Sequence, residues 1–382
     1  MASSTPSFRE LQRRFKEPTP AATAFYYGVA AHLMYFVNSA SEYVRAVKDI
    51  FFTPADGPSL VKSYACRPSL PIRIFIPKSY DPKSEQKLPT LFSIHGGGFV
   101  LGNARDDDTW NRPFADTQSV LVIALNYSQA PRARFPTPIY DIEQVILAAL
   151  SDSTLPIDRD HVAIAGFSAG GNLALSVSTL PSMSGSGDGS RRLQAVVPMY
   201  PVADMSIPRE HKTQTRRYKP SLGGFRGKPK DYLLRISPIF DWAYTPPNQD
   251  LQNPLLSPIF AQKEQLPAYV FVVGCELDML AGESWRLIRR LVDHPIEDER
   301  VGRDEPGRFG ELILDDERYS FEQRSETGSY KWLLIPDQIH GFDHYVQMQP
   351  MHRDKNHFAD AELKTLQCQN LIGQWLFSGP FR

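Results

Sequence analysis

The sequence predicts an α/β protein built on a doubly wound, mostly parallel sheet. Three observations carry that prediction. Short apolar runs of strand length recur from about residue 61 onward. They alternate with segments of helical spacing, and that alternation places helices on both faces of a parallel sheet. Two of the runs end in glycine-bearing turns, at 96–98 and 166–171, where a strand must give way abruptly to the next segment.

Taken in order, residues 1–60 read as mostly helical, broken at Pro18 and Pro20 and closed by a proline-bearing turn at 54–58. Residues 70–76 and 89–95 are β-rich, and 120–126 is a short apolar run suited to a strand covered on both faces. A helix is expected over 140–150, a strand over 161–166 and a helix over 169–180. Further strands are expected at 193–200, 268–274 and 331–335, and a closing helix at 357–377. Three segments break the rhythm. Residues 182–192 are rich in Ser and Gly and read as a surface loop. Residues 205–254 are polar and proline-rich, with some helix expected near 230–236. Residues 293–330 are highly charged, with an extra strand pair expected near 311–321. The expected organisation is a helical cap region over 1–60 and a core over 61–382. The core carries insertions at about 205–254 (cap or loop) and 293–330, the latter read first as a solvated surface loop and second as a lid or partner surface.

Composition narrows the function. The chain has 382 residues, 42% of them hydrophobic, and a formal net charge of −1. A nucleic-acid binder would carry a basic excess, so that class is disfavoured. Three scattered cysteines, Cys66, Cys275 and Cys368, make neither a disulfide framework nor a zinc site, and they favour a reducing, cytoplasmic setting. Arg9, Arg13, Arg14 and Lys16 precede an uncharged stretch over 20–40, the layout of a signal anchor. Tyr26, Tyr27, His32, Tyr35 and Asn38 dilute its hydrophobicity, so a buried or surface-capping helix is the first reading and membrane association the second. The aromatic clusters Phe25-Tyr26-Tyr27 and Met34-Tyr35-Phe36 can line an apolar substrate entrance or serve as plain core.

Two motifs carry chemistry. Gly166-Phe167-Ser168-Ala169-Gly170 follows an apolar strand and opens a helix. So tight a turn needs glycines on both sides, lifts Ser168 to its tip, and sets the helix N-terminus beside it, where developing negative charge is favoured. His95-Gly96-Gly97-Gly98-Phe99 follows another apolar strand. Consecutive glycines leave backbone N–H groups unshielded, as an oxyanion requires. Gly97 and Gly98, with the N–H of Ala169, are the expected donors, and His95 is expected to pin the loop through its ring.

These two motifs together resemble the hormone-sensitive-lipase family of esterases, within the α/β-hydrolase fold. Asn126-Tyr127, Ala130-Pro131, Phe135-Pro136 and Asp141 are similar to a family segment between them, as is Leu255-Leu256-Ser257-Pro258 further on. The resemblance runs from about residue 70 to the C-terminus, insertions apart. It implies an α/β-hydrolase core with a largely N-terminal helical cap. It also directs the search for an acid and a base. Asp278, in Glu276-Leu277-Asp278-Met279-Leu280, falls at the family's acid position, with Glu276 as the competing carboxylate. His340, in His340-Gly341-Phe342, falls at the family's histidine. One departure is plain: where the family often has Asp before the nucleophile, this chain has Phe167.

The expectation is therefore a serine hydrolase with the triad Ser168, Asp278 and His340, acting on small-molecule carboxylic esters; short to medium acyl or small apolar esters are what the resemblance implies. Such chemistry needs no metal or organic cofactor. Two alternatives remain at this level: acyl transfer to a small alcohol with the same residues, and a small-molecule receptor built on the same fold. The sequence does not define an oligomeric state.

Overall fold

The computed structural model describes residues 19–51, 54–185, 192–296, 298–344 and 355–382. A nine-stranded sheet runs through the molecule in the order β1-β2-β4-β3-β5-β6-β7-β9-β8. Its centre is β3 (Leu88–Ile94), β4 (Leu121–Leu125), β5 (Ile157–Phe167), β6 (Ala195–Met199), β7 (Tyr269–Cys275) and β9 (Ser329–Ile335), all paired in parallel. Antiparallel strands close both edges: β1 (Leu60–Tyr64) and β2 (Arg67–Phe75) at one, β8 (Ser320–Arg324) at the other.

Burial explains the central strands. Every residue of Leu121–Leu125 and Ala195–Met199 is buried, so these runs are apolar throughout instead of alternating. One face is covered by α2 (Asp108–Gln118) and α9 (Lys355–Ser378), through Trp110, Phe114, Ile372 and Trp375. The other is covered by α3 (Thr137–Leu150), α4 (Ala169–Ser178) and α8 (Ala281–Leu291), through Ile142, Leu173, Leu175 and Leu287. Because β3, β5, β6, β7 and β9 run the same way, their C-terminal ends share one edge of the sheet. The segments that follow Ile94, Phe167, Met199, Cys275 and Ile335 all emerge there, where open α/β sheets bind ligands.

Above that edge lies α1 (Ala21–Phe51), packed on α7 (Ser237–Tyr244) from the 205–254 insertion. Gly28 permits the approach, since a Cβ there would sit 3.1 Å from the Trp242 ring. Asn38 exchanges hydrogen bonds with the backbone of Gly102 at 3.0 and 3.3 Å, and Arg45 pairs with Asp106 at 2.8 Å. α1 is thereby fastened to the loop that follows β3. Two short helices, α5 (Pro181–Ser184) and α6 (Arg209–Gln214), complete the described α structure.

Several expectations need correction. The extra strand pair does not lie at 311–321. Its first strand begins only at Ser320 and pairs with β9, already part of the main sheet. The helix expected near 230–236 is a short 3-10 turn over Leu233–Arg235, and the α-helix follows at Ser237, with a proline in its first turn where the missing N–H costs nothing. The 293–330 segment is more than a solvated loop. Val301, Gly302, Gly310 and Tyr319 are buried, and its backbone donates to Glu276, Asp337 and Asp360. Of the aromatic clusters on α1, Phe25, Tyr26 and Phe36 point to solvent, so they are neither core nor entrance lining. The basic residues at 9–16 and the loop residues 186–191 lie outside the described residues.

Candidate active site

The turn after β5 places Ser168 at φ 55°, ψ −113°, in a region that few side chains adopt. Its N–H donates to Met199 O at 2.9 Å and its carbonyl accepts from Asn172 N at 3.1 Å, which hold the turn from both sides. Gly166 and Gly170 are required here: a Cβ on the first would strike the Gly170 carbonyl, and a Cβ on the second the Ile94 carbonyl. The strain is thus fixed by surrounding backbone.

His340 and Asp278 arrive from the turns after β9 and β7. His340 Nε2 lies 2.7 Å from Ser168 Oγ, and His340 Nδ1 lies 2.6 Å from Asp278 Oδ2. The structure therefore brings together the three residues selected from sequence. Leu280 N donates to the other Asp278 oxygen at 3.0 Å, so the carboxylate is held at both ends. Burial pushes the His340 imidazole toward neutrality, but the charge and hydrogen bond of Asp278, with Asp231 and Asp343 behind it, outweigh that and raise its pKa above the ordinary histidine value. Glu276, the competing carboxylate, turns elsewhere. It accepts from Lys219 Nζ, Arg303 N and Asp337 N, each at 2.8 Å, and from the Tyr319 hydroxyl at 2.5 Å.

The expected oxyanion donors sit on two loops. Gly97 and Gly98 adopt φ of 105° and 61°, and among the described residues their N–H groups and that of Ala169 donate to no protein acceptor. Ala169 opens α4, where the first N–H groups have no partner within the helix. A Cβ on Gly98 would drive into the Phe240 ring of α7. His95 pins its loop as expected: it is buried, its Nδ1 is 2.7 Å from Gly96 O, and it stacks on Tyr127 with centroids 4.3 Å apart. Burial drives its pKa down to about 4, with the Gly96 carbonyl opposing, so the ring is neutral at physiological pH.

A cavity of about 750 Å³ opens onto Ser168 and His340. Its walls include Leu33, Met34 and Val37 of α1, Ile236 and Phe240 around α7, and Met279 beside the acid turn. A volume of this size suits a small organic molecule.

Several supporting residues had no signal in the sequence. Tyr232 donates its hydroxyl to His340 O at 3.1 Å. Asp231 accepts from Met279 N at 2.9 Å and pairs at 3.2 Å with Arg216, whose Nε donates to Leu277 O at 2.6 Å. The 205–254 insertion thus braces both the acid turn and the base. Phe167 fills a buried box, edge-on to Trp110 at 5.3 Å and to His344 at 4.9 Å. His344 lies between Asp107 at 2.6 Å and Asp343 at 3.0 Å. Burial opposes its charge, but the two carboxylates raise its pKa well above the ordinary value.

Comparison with known proteins fits this geometry. A family model described as alpha/beta hydrolase fold matches residues 91–300. An arylesterase from Saccharolobus solfataricus is 30% identical over 228 residues, covering 59% of this chain and 67% of that protein. Arylacetamide deacetylase from Oryctolagus cuniculus is 36% identical over 114 residues, covering 28% of each. The matched stretches thus span from about a quarter to two thirds of these relatives' own lengths. EstE1, a thermostable carboxylesterase from a metagenomic library, superposes with a TM-score of 0.58 at 22% identity, covering 87% of this chain and 96% of that one. With the family model spanning more than half of its length, the chain belongs to the alpha/beta hydrolase fold family, in the hormone-sensitive-lipase-like branch of esterases.

Proposed function

We propose that the protein hydrolyses carboxylic esters through an acyl-enzyme on Ser168. The observation that carries this reading is the hydrogen-bonded chain Ser168–His340–Asp278, opening onto a largely apolar cavity. Ser168 Oγ attacks the ester carbonyl while its proton passes to His340 Nε2. The carbonyl oxygen takes up negative charge against the N–H groups of Gly97, Gly98 and Ala169. The tetrahedral intermediate collapses, and His340 gives its proton to the departing alcohol. A water then loses a proton to His340 and attacks the acyl carbon. The acid is released as Ser168 recovers the proton. Asp278 fixes the imidazole with Nε2 toward the serine and stabilises the imidazolium between steps. No step calls for a metal or organic cofactor.

The walls support the substrate class. Apolar residues of α1 and α7 line the cavity, so short to medium acyl esters with apolar leaving groups are the expected substrates. Residues of α1 and of the 205–254 insertion act together as the cap. The test is fluorophosphonate labelling mapped by mass spectrometry, with a panel of p-nitrophenyl esters of graded chain length. Label on Ser168 and turnover of the shorter esters support the reading. Label on another serine overturns it. Acyl transfer uses the same atoms, and adding a small alcohol to the assay separates the two: transfer diverts the acyl group into a new ester.

A further inference from the structure

Outside the cavity, the most unusual surface is the outward face of α1. Phe25 is 75% exposed, Phe36 68% and Tyr43 73%, and Val29 and Val47 on the same side are exposed as well. At 100° per residue these five positions fall within about 40° of one another, and with Leu33 and Val37 the stripe spans an arc of about 120° along the helix. Between residues 25 and 47 that arc contains no Asp, Glu, Lys or Arg. The opposite face carries Tyr27, Met34 and Asn38, which pack on the rest of the protein. Leu33 and Val37 belong to both surfaces: they are 60% and 56% exposed, and they line the cavity. The apolar stripe therefore runs unbroken into the mouth of the site.

The geometry points to a lipid surface as the occupant of this face, with α1 lying in the plane of the interface and the cavity opening toward it. This deepens the ester-hydrolase reading and rests on it for the substrate class, which becomes esters dissolved in or adsorbed to lipid. Three observations favour lipid. Arg9, Arg13, Arg14 and Lys16 precede α1 against Glu10 and Glu17, a basic excess that complements anionic headgroups. The stripe, from residue 25 to residue 47, is about 35 Å long at 1.5 Å per residue. With a width of about 10 Å it offers about 350 Å², less than half of the roughly 800 Å² per partner that a stable protein interface buries. And the face meets the substrate entrance, where a lipid-borne ester would arrive. Among the described residues no helix is long and apolar enough to cross a membrane.

The test is flotation of the full chain with vesicles of phosphatidylcholine, alone and mixed with phosphatidylserine, against the variant Phe25→Ser/Phe36→Ser/Tyr43→Ser. None of these three residues lines the cavity. The parent chain is expected to float with both vesicles, and more strongly with the anionic ones at low salt. The variant should bind about a hundredfold more weakly, since each substitution removes a large apolar side chain from the contact. Its kcat/KM on soluble p-nitrophenyl acetate should match the parent's, while turnover of a medium-chain ester with an apolar leaving group carried in the vesicles falls with binding. A parent chain that never floats, or a variant that floats equally well, overturns the proposal. So does a parent dimer in sedimentation equilibrium that the variant fails to form, which would make a second copy the occupant. So does flotation that appears only after residues 2–18 are deleted, which would assign the face to that segment. Flotation by a chain that hydrolyses no ester would leave the lipid surface standing and remove the esterase reading alone.

Discussion

Glu276→Gln separates a stabilising carboxylate from a catalytic one. Glu276 and Asp278 lie two residues apart, both fully buried, and either is an acceptable acid by sequence alone. In the structure Glu276 faces Lys219, itself fully buried, together with Tyr319, Arg303 N and Asp337 N. Removing its charge leaves Lys219 with one counter-ion, Asp337 at 2.6 Å. Breaking a buried pair outright costs about 3–5 kcal/mol, and the surviving Asp337 contact keeps this case near the lower end. The amide nitrogen also faces two of the four former donors, since each Glu276 oxygen accepts from two, which adds about 1 kcal/mol or more. A loss of about 4 kcal/mol follows. For a chain of 382 residues, at roughly 2 cal/mol/K of unfolding entropy per residue, it lowers Tm by about 5 °C. Activity per folded molecule should stay within about threefold of the parent, because no Glu276 oxygen contacts His340. Asp278→Asn should do the reverse, with a largely intact fold and a fall in kcat of about ten-thousandfold. The assays are calorimetry and p-nitrophenyl ester kinetics on protein checked by circular dichroism. A folded Glu276→Gln protein with activity as low as Asp278→Asn would refute the assignment of the acid.

Three further outcomes are expected. Ser168→Ala and His340→Ala should each be at least as damaging as Asp278→Asn, and the double variant Ser168→Ala/His340→Ala no worse than either single, read as kcat on one soluble ester. The kcat/KM profile should rise with pH through a single ionisation centred above the ordinary histidine value of about 6.5, because catalysis needs neutral His340 and its pKa is raised. The stability that His340 contributes runs the other way: full below the unfolded value and lost as pH rises through the folded one, which pH-dependent denaturation measures. A rate profile flat into the acid range would remove histidine from the mechanism. Tyr232→Phe removes one hydrogen bond to the His340 carbonyl and should cost about 1 kcal/mol of stability. It should also lower kcat with KM little changed; unchanged kcat would show that the base needs no brace from the insertion.

The parts of this molecule legible in its sequence are those encoded by neighbours in the chain. The central strands could be read because each is a short apolar run, whereas the polar edge strand β8 was not, and Ser168 could be read because its glycines, strand and helix are contiguous. Asp278 and His340 needed a family resemblance in addition, since a lone carboxylate and a lone histidine carry no pattern. The insertions resisted reading for a physical reason. Besides short apolar contacts such as Ile239 and Ala243, they are held by buried polar anchors, which no periodicity reveals. Arg216 reaches Leu277 and Lys219 reaches Glu276 and Asp337, across 57 to 118 residues of chain. Each anchor looks in sequence like an ordinary surface charge. The α1 stripe misled in the opposite sense: its aromatic residues suggested burial, and composition alone does not say which face of a helix meets the protein.

Phe167 shows how a departure from a family pattern is absorbed. At that position an aspartate would present a carboxylate beneath the nucleophile. Here an apolar ring occupies it, and the polar groups lie one layer further out. Asp107 and Asp343 flank His344, and Tyr200 donates its hydroxyl to Asp343 while packing edge-on against the His340 ring at 4.8 Å. His344, charged between its carboxylates, presents itself to the ring of Phe167, whose edge packs at 83° to the imidazole plane. A polar side chain at 167 would enter a box walled by Trp110 and Tyr200 and would need a partner there. Phe167→Asp therefore does not restore a family feature in this chain. It sets a third carboxylate beside Asp107 and Asp343, in a box where His344 already serves those two. The fold accommodates Phe167 because Trp110, Tyr200 and His344 are arranged around it, so the brace under Ser168 belongs to the set of residues and not to any one of them.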